Sequence, residues 1–460
     1  MIDTKNSFLR VACLLLVLSF LSFGGISYAL ELPDKLKIIS LLKQKKYVEL
    51  ESLLEKYQKT YEKDYQNEFN LELAYWSFYT SDPSLESYLK EWIKQYPNSY
   101  SARLARGVYY TKMGWVKRGK KFIGKTPPEQ IYKMEKAFSE AKTDLEAALK
   151  INPGAIVSYF YLIDIEKALG DKESNKLLLN RALKTNPYSF SARRIYIQSL
   201  VPKWGGSFEE MQGFVNETDN YVSKNPKLRI LRGYIEATNA DIANRNNDRA
   251  GAIEYYTKAI SFGDYYYFFR ERGEIYAEMG QSEKAMSDLN KALDLHPQNA
   301  DTLRSRGRLF QKLGKLDLAL SDLNLTIQLD PLDPHNLSAR AHLYKKLKRY
   351  KDALEDYKDA LINAPNDAKI WRDKGILLVR EFKDYKNAKH DLELATILDP
   401  NDADAWYFHG FTLYHMQDNN CADSFKKYLR LSKNNSKRDE GKIAWVEKYL
   451  GCDKNPSVCK

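Results

Sequence analysis

Cysteine and histidine are both scarce in this sequence, four and six in 460 residues. No cysteine spacing matches a structural zinc site. His296, His335, His342, His390, His409 and His415 form no metal-binding pair, and none stands at a meaningful spacing from Cys or Ser. No metal centre or nucleophilic triad can be assembled from these residues, and no cofactor and no enzymatic activity are expected. Proline and glycine are also few, 15 and 22, which excludes a long disordered linker. The apolar run at residues 11–26 falls short of the roughly 20 residues that a spanning helix needs.

That run has a second meaning. Lys5 and Arg10 precede it, and Ser27-Tyr28-Ala29 places small residues at a cleavage position, the pattern of a secretory signal peptide over residues 1–29. The expected location is periplasmic or secreted, with an uncleaved inner-membrane anchor as the alternative. Removal of residues 1–29 leaves Cys421, Cys452 and Cys459, an odd count that allows one disulfide and one free thiol. Cys421 with Cys452 or Cys459 is the expected bridge, and a local Cys452–Cys459 loop is its rival. The formal charge of +11 comes from 72 basic and 61 acidic residues, interspersed as on a solvated surface. Export argues against nucleic acid as a partner.

The core of the chain is a repeat. Between residues 266 and 400 prolines recur at Pro297, Pro331, Pro365 and Pro400, spaced 34, 34 and 35. Twelve residues before each stands Ala285, Ala319, Ala353 or Ala388, and before those Gly273, Gly307, Ala341 and Gly375, the last one residue early. Each unit predicts two amphipathic helices of about 12 residues around a polar turn. Small residues mark close helix contacts, and proline ends the second helix. No unit can bury its apolar face alone, so the units stack.

Four consecutive units of this spacing resemble the tetratricopeptide repeat. The resemblance implies an all-α solenoid of stacked antiparallel helix hairpins, a curved rod with a C-terminal capping helix. The expected organisation runs from N-terminal hairpins at 30–98 to a repeat-like region at 99–227. An irregular linking repeat at 228–265 follows, then tandem repeats at 266–433 and a cap with a cysteine-bearing tail at 434–460. Within 99–227 the second helix, with Ala141, Leu145 and Ala148, arrives 22 residues late, so an insertion lies at about 115–135. Residues of roughly 84–215 are similar to an uncharacterised bacterial domain of the same type, through residues 101–107, residues 144–149 and the turn Trp204-Gly205-Gly206-Ser207. Ser207 and Glu210 read as a capping box.

The insertion contains Gly119-Lys120-Lys121-Phe122-Ile123-Gly124-Lys125-Thr126, which fits the phosphate-binding loop pattern. That chemistry needs a strand before the loop and a helix opening at Lys125, and Pro127 disfavours the latter. The reading is an inserted basic loop carrying Lys117, Arg118, Lys120, Lys121 and Lys125, expected to be solvated. The alternative is a patch for acidic proteins, or for lipopolysaccharide or lipid headgroups at a membrane or envelope surface. In the repeat register, Tyr267, Arg270, Arg304, Arg308, Lys312, His342, Lys345, Lys346 and Arg372 are expected to line a basic concave groove. The resulting expectation is a scaffold that binds a protein or acidic peptide there. The alternatives are an envelope-assembly component without a groove and an enzyme that uses the inserted loop.

Overall fold

Asn299 shows how one unit is built. Its side chain accepts from the Thr302 amide (2.9 Å) and opens the helix Ala300–Lys312. Gly314 then turns the chain with a φ of +75°, and the helix Leu316–Leu329 runs back until the approach of Pro331. The two helices touch where side chains are smallest. A Cβ added at Gly307 would lie 3.0 Å from Leu323 Cγ, and Ala319 is fully buried. The same hairpin recurs in Tyr266–Glu278 with Ser282–Leu295 and in Pro334–Lys346 with Tyr350–Asn363. It recurs again in Ala368–Leu377 with Tyr385–Leu398 and in Ala403–His415 with Cys421–Ser432. The helix Glu440–Leu450 caps the stack, its Trp445 packed edge-on against Phe425.

The computed structural model describes residues 32–119, 124, 126–432 and 439–451, and among these there is no strand. The expected signal segment, Lys120, Lys121, Lys125, Cys452 and Cys459 lie outside the described residues. No described helix is long and apolar enough to cross a membrane. The fold is the all-α solenoid of paired helices that the repeat implies.

A polar rung accompanies these close contacts. The residue before each small one on the first helix pairs with an acid on the second: Arg272 with Asp288 (2.7 Å), Arg306 with Asp322 (2.8 Å), Arg340 with Asp356 (2.8 Å). Both nitrogens of each guanidinium fork engage both carboxylate oxygens, the strong geometry for a half-buried pair. The free Nη1 of each reaches back to the preceding repeat, at Thr257, Asn290 and Asn324 (3.0, 3.0 and 3.1 Å). Arg106 and Asp144 make the same pair at 2.6 Å across the insertion, whose added length extends the helices Tyr100–Arg118 and Pro128–Ile151. Lys374–Asp391 (2.9 Å) and His409–Ser424 (3.0 Å) replace it in the last two hairpins.

The curvature expected of the rod carries its first helices back to the later repeats. These helices are Lys35–Lys43, Tyr47–Lys63, Glu68–Trp76 and Leu85–Gln95, and they return to the turns of those repeats. Leu36 joins the apolar cluster of Leu293, Leu303 and Leu329. Asp330 Oδ1 accepts from Thr80 Oγ1, Ser81 N and Ser81 Oγ (3.1, 2.7 and 2.5 Å), while Lys112 Nζ stands 3.0 Å from Asp330 Oδ2. His296 is caged by Tyr266, Trp76 and Phe69. Repeat packing fixes the contact between neighbours only. Contacts between residues some 250 positions apart follow from accumulated curvature, which periodicity does not encode.

Candidate functional site

Seven of the nine expected groove residues separate into three groups. Arg270, Arg304 and Arg372 are tied to acids of the same face. Arg270 pairs with Glu271 and stands 3.6 Å from Asp301; Arg304 reaches Asp301 (2.6 Å) and Asn336 (2.8 Å); Arg372 reaches Asp373 (3.0 Å) and Asp402 (2.5 Å). Burial alone would raise the Asp301 carboxyl, but Arg304 and Arg270 hold it well below the usual range. Lys312 and Lys346 extend along the array and donate to the carbonyls of Ala277 (2.7 Å) and Gln311 (3.2 Å). Lys345 and Arg308 have no carboxylate within 4.0 Å among the described residues. Desolvation lowers the pKa of both, with Arg304 adding to the effect at Arg308 and Asp373 opposing it at Lys345.

The fourth hairpin supplies what the register did not. Its first helix runs from Ala368–Leu377 into a π turn, Leu378–Phe382, and Lys383 follows in the left-handed region. This turn takes up the one extra residue that stretches the last proline spacing to 35. It turns Arg380 and Glu381 into a recess of about 340 Å³ shared with Gln311, His342, Lys345, Lys346 and Tyr350. Arg380 packs on the Phe408 ring (4.9 Å) and has no carboxylate partner within 4.0 Å among the described residues. His342 is held from both sides, Nε2 by Asp373 (3.2 Å) and Nδ1 by the Tyr357 hydroxyl (3.4 Å). Lys345, Lys346 and Arg380 thus meet one acid, Glu381, itself hydrogen-bonded by Tyr350, at the mouth of an open pocket. π turns of this kind frequently mark functional sites. The sequence signal for Arg380 was the extra residue between Gly375 and Ala388.

Tyr267 belongs elsewhere. It stacks on Tyr234 (6.2 Å, 8°) and lines a second recess of about 270 Å³ with Trp204, Thr238 and Asp241. Trp204, from the glycine-bearing turn, meets Trp115 at 73°, and Arg118 and Lys167 lie over both rings. Of the basic loop, Lys117 is exposed and Arg118 is committed to this stack, while the other three lysines lie outside the described residues. A helix, not a strand, leads into Gly119. Cys421 is buried with its Sγ 2.9 Å from the Tyr449 hydroxyl; its candidate partners Cys452 and Cys459 fall outside the described residues. No cluster of metal-binding side chains occurs among the described residues.

Comparison with known proteins assigns these elements. Residues 273–314 match the TPR repeat and residues 338–403 the tetratricopeptide repeat. Residues 35–173 match a domain of unknown function, DUF4034, which ends before the Trp204 turn. The chain thus carries tetratricopeptide repeats over residues 273–314 and 338–403. Similar solved structures include Pseudomonas aeruginosa pilF, 18% identical over 42% of this chain and 86% of that one, with a TM-score of 0.38. YrrB, a TPR protein with an unusual peptide-binding site, is 20% identical over 43% of this chain and 100% of its own, with a TM-score of 0.33. A chain of the APC/C hetero-tetramer Cut9–Hcn1 is 15% identical over 90% and 95%, with a TM-score of 0.46. No curated protein matches. The repeat fold supports a scaffold for protein–protein interaction.

Proposed function

We propose that this chain is an exported interaction scaffold and that its binding site is the recess at the π turn, which takes an acidic peptide segment. Export rests on the charged and apolar pattern of residues 1–29. The observation that carries the binding reading is the pair Lys345 and Arg380, two cations without carboxylate partners at an open pocket of about 340 Å³. Of the expected groove arginines, Arg270, Arg304 and Arg372 already have protein acids, so their charge is spent within the fold. A ligand carboxylate would replace water at Lys345 and meet the planar fork of Arg380.

The test is fluorescence anisotropy with a labelled hexaglutamate peptide at low salt, comparing the native chain with Lys345→Glu/Arg380→Glu. We expect at least a tenfold loss of affinity with an unchanged melting temperature, because both side chains lie outside the core. Equal binding by the double variant would refute the site. Arg304 is the wrong residue to reverse: its Nε is buried and its two other nitrogens are bonded, so a carboxylate there would damage the fold.

A further inference from the structure

The second recess has the opposite chemistry at its floor. Asp241, on the helix Ile230–Arg245, has one carboxylate oxygen bonded to the Tyr256 hydroxyl (2.5 Å) and no cation within 4.0 Å among the described residues. Burial raises its carboxyl pKa above the usual range, with the Tyr256 bond acting against that shift. Six other interior aspartates have a basic partner: Asp288, Asp322, Asp356, Asp391, Asp144 and Asp330. Asp241 instead faces a cavity of about 270 Å³ walled by the rings of Tyr234, Tyr267 and Trp204.

Rings around a carboxylate favour a planar cation, which gains ion pairing at its edge and stacking on its face. Arg270 already lies over the Tyr267 ring (5.2 Å) and Arg118 and Lys167 over Trp204 (4.9 and 5.6 Å), but among the described residues no cation pairs with Asp241. Lys167 is paired with Asp164 (2.5 Å), Arg245 folds back to donate its Nε to the Asp241 carbonyl (3.2 Å), and Lys203 stands exposed at the rim. Lys203 and Arg245 would repel a purely cationic ligand from the mouth, yet they suit carboxylates beside the inserted group.

We infer that this recess is a binding slot for an arginine side chain of a peptide whose flanking residues are acidic, the guanidinium meeting Asp241 between Tyr267 and Trp204. It is independent of the π-turn recess, shares no residue with it and selects a different side chain.

Isothermal titration of the full chain with acetyl-Glu-Arg-Glu-amide and acetyl-Glu-Gln-Glu-amide tests it. The arginine peptide should bind at least tenfold more tightly, and Asp241→Asn should remove that difference while leaving the glutamine peptide unaffected. Tyr267→Leu, which keeps the carboxylate and removes a wall, should weaken the arginine peptide severalfold. Should Asp241→Asn fail to fold, Tyr267→Leu and the peptide pair still decide the question. Equal affinity for the two peptides, or an arginine preference that survives in a folded Asp241→Asn, would overturn the slot.

Discussion

The first and second halves of this chain use one unit, the helix hairpin, in two ways. From residue 266 onward each hairpin repeats its neighbour's solution: a small residue at the close approach and, in the first three, a forked arginine that ties two successive second helices. Before residue 228 the forked pair survives once, at Arg106 and Asp144, and other polar contacts are individual. Trp92 Nε1 donates to Glu51, Tyr100 to Glu55, and Ser191 and Arg194 to Glu72, none of which recurs at a fixed offset. A repeated contact can propagate without limit, whereas an individual one has to be complementary to a single surface. The two halves meet at such a surface, where Asp330 of the regular half receives Thr80, Ser81 and Lys112 of the irregular one.

Breaking that junction should have the largest effect. Asp330→Ala leaves Lys112 buried without its nearest acid and three donors without an acceptor, a loss of about 3–5 kcal/mol. Chemical denaturation should show the loss, with a second transition if the halves unfold separately. A single unchanged transition would mean that the closure contributes little to stability.

Acid should sharpen the same contrast. His296 is 4% exposed, has no hydrogen-bond partner at either nitrogen, and burial with Arg270 nearby lowers its pKa to about 3. The unfolded side chain titrates near 6.5, so the neutral cage is fully stable above that pH and weakens as pH falls toward 3, by about 1.4 kcal/mol per unit. Glu68 works in the other direction. Burial raises its carboxyl to about 7, so its contribution is complete below 4.5 and is lost as pH rises through 7. His296→Leu isolates the first effect: the stability difference between variant and native chain should shift in favour of the variant as pH falls from 6.5 to 4.5. A difference independent of pH would remove His296 as the acid-sensitive group.

The smallest effect tests the regular half. Gly280 and Gly314 occupy the left-handed turn of the first two hairpins, but Lys348 does so in the third with φ of +58°. Lys348→Gly should raise stability by up to about 1 kcal/mol, since glycine adopts this region without the side-chain clash. A lower melting temperature would show that the lysine makes a compensating contact.

Much of this architecture is written in spacing. Gly307, Ala319 and Pro331 fix the hairpin and its ends, and the single 35-residue interval marks the π turn. The rungs were legible too, as Arg or Lys sixteen or seventeen residues ahead of Asp, but a reading centred on apolar and small residues passes over charges. The closure was not legible: Leu36, Thr80 and Ser81 carry no period, and their partners are set by the sum of many small rotations. For the same reason the register could place Arg270, Arg304 and Arg372 on one face without revealing that Glu271, Asp301, Asp373 and Asp402 reach them first.

The forked arginines also set the mechanics of the array. Arg272, Arg306 and Arg340 act as rivets along one flange of a beam, each fastening a span to the one before it. Lys374, with a single ammonium, fastens only its own hairpin, and the position that would receive it in the preceding one is Lys358, itself a cation held by Glu355. The riveting therefore lapses between the third and fourth hairpins, beside the π turn. There His342, bonded to Asp373 across the joint, takes over the fastening beside the recess that holds Lys345 and Arg380.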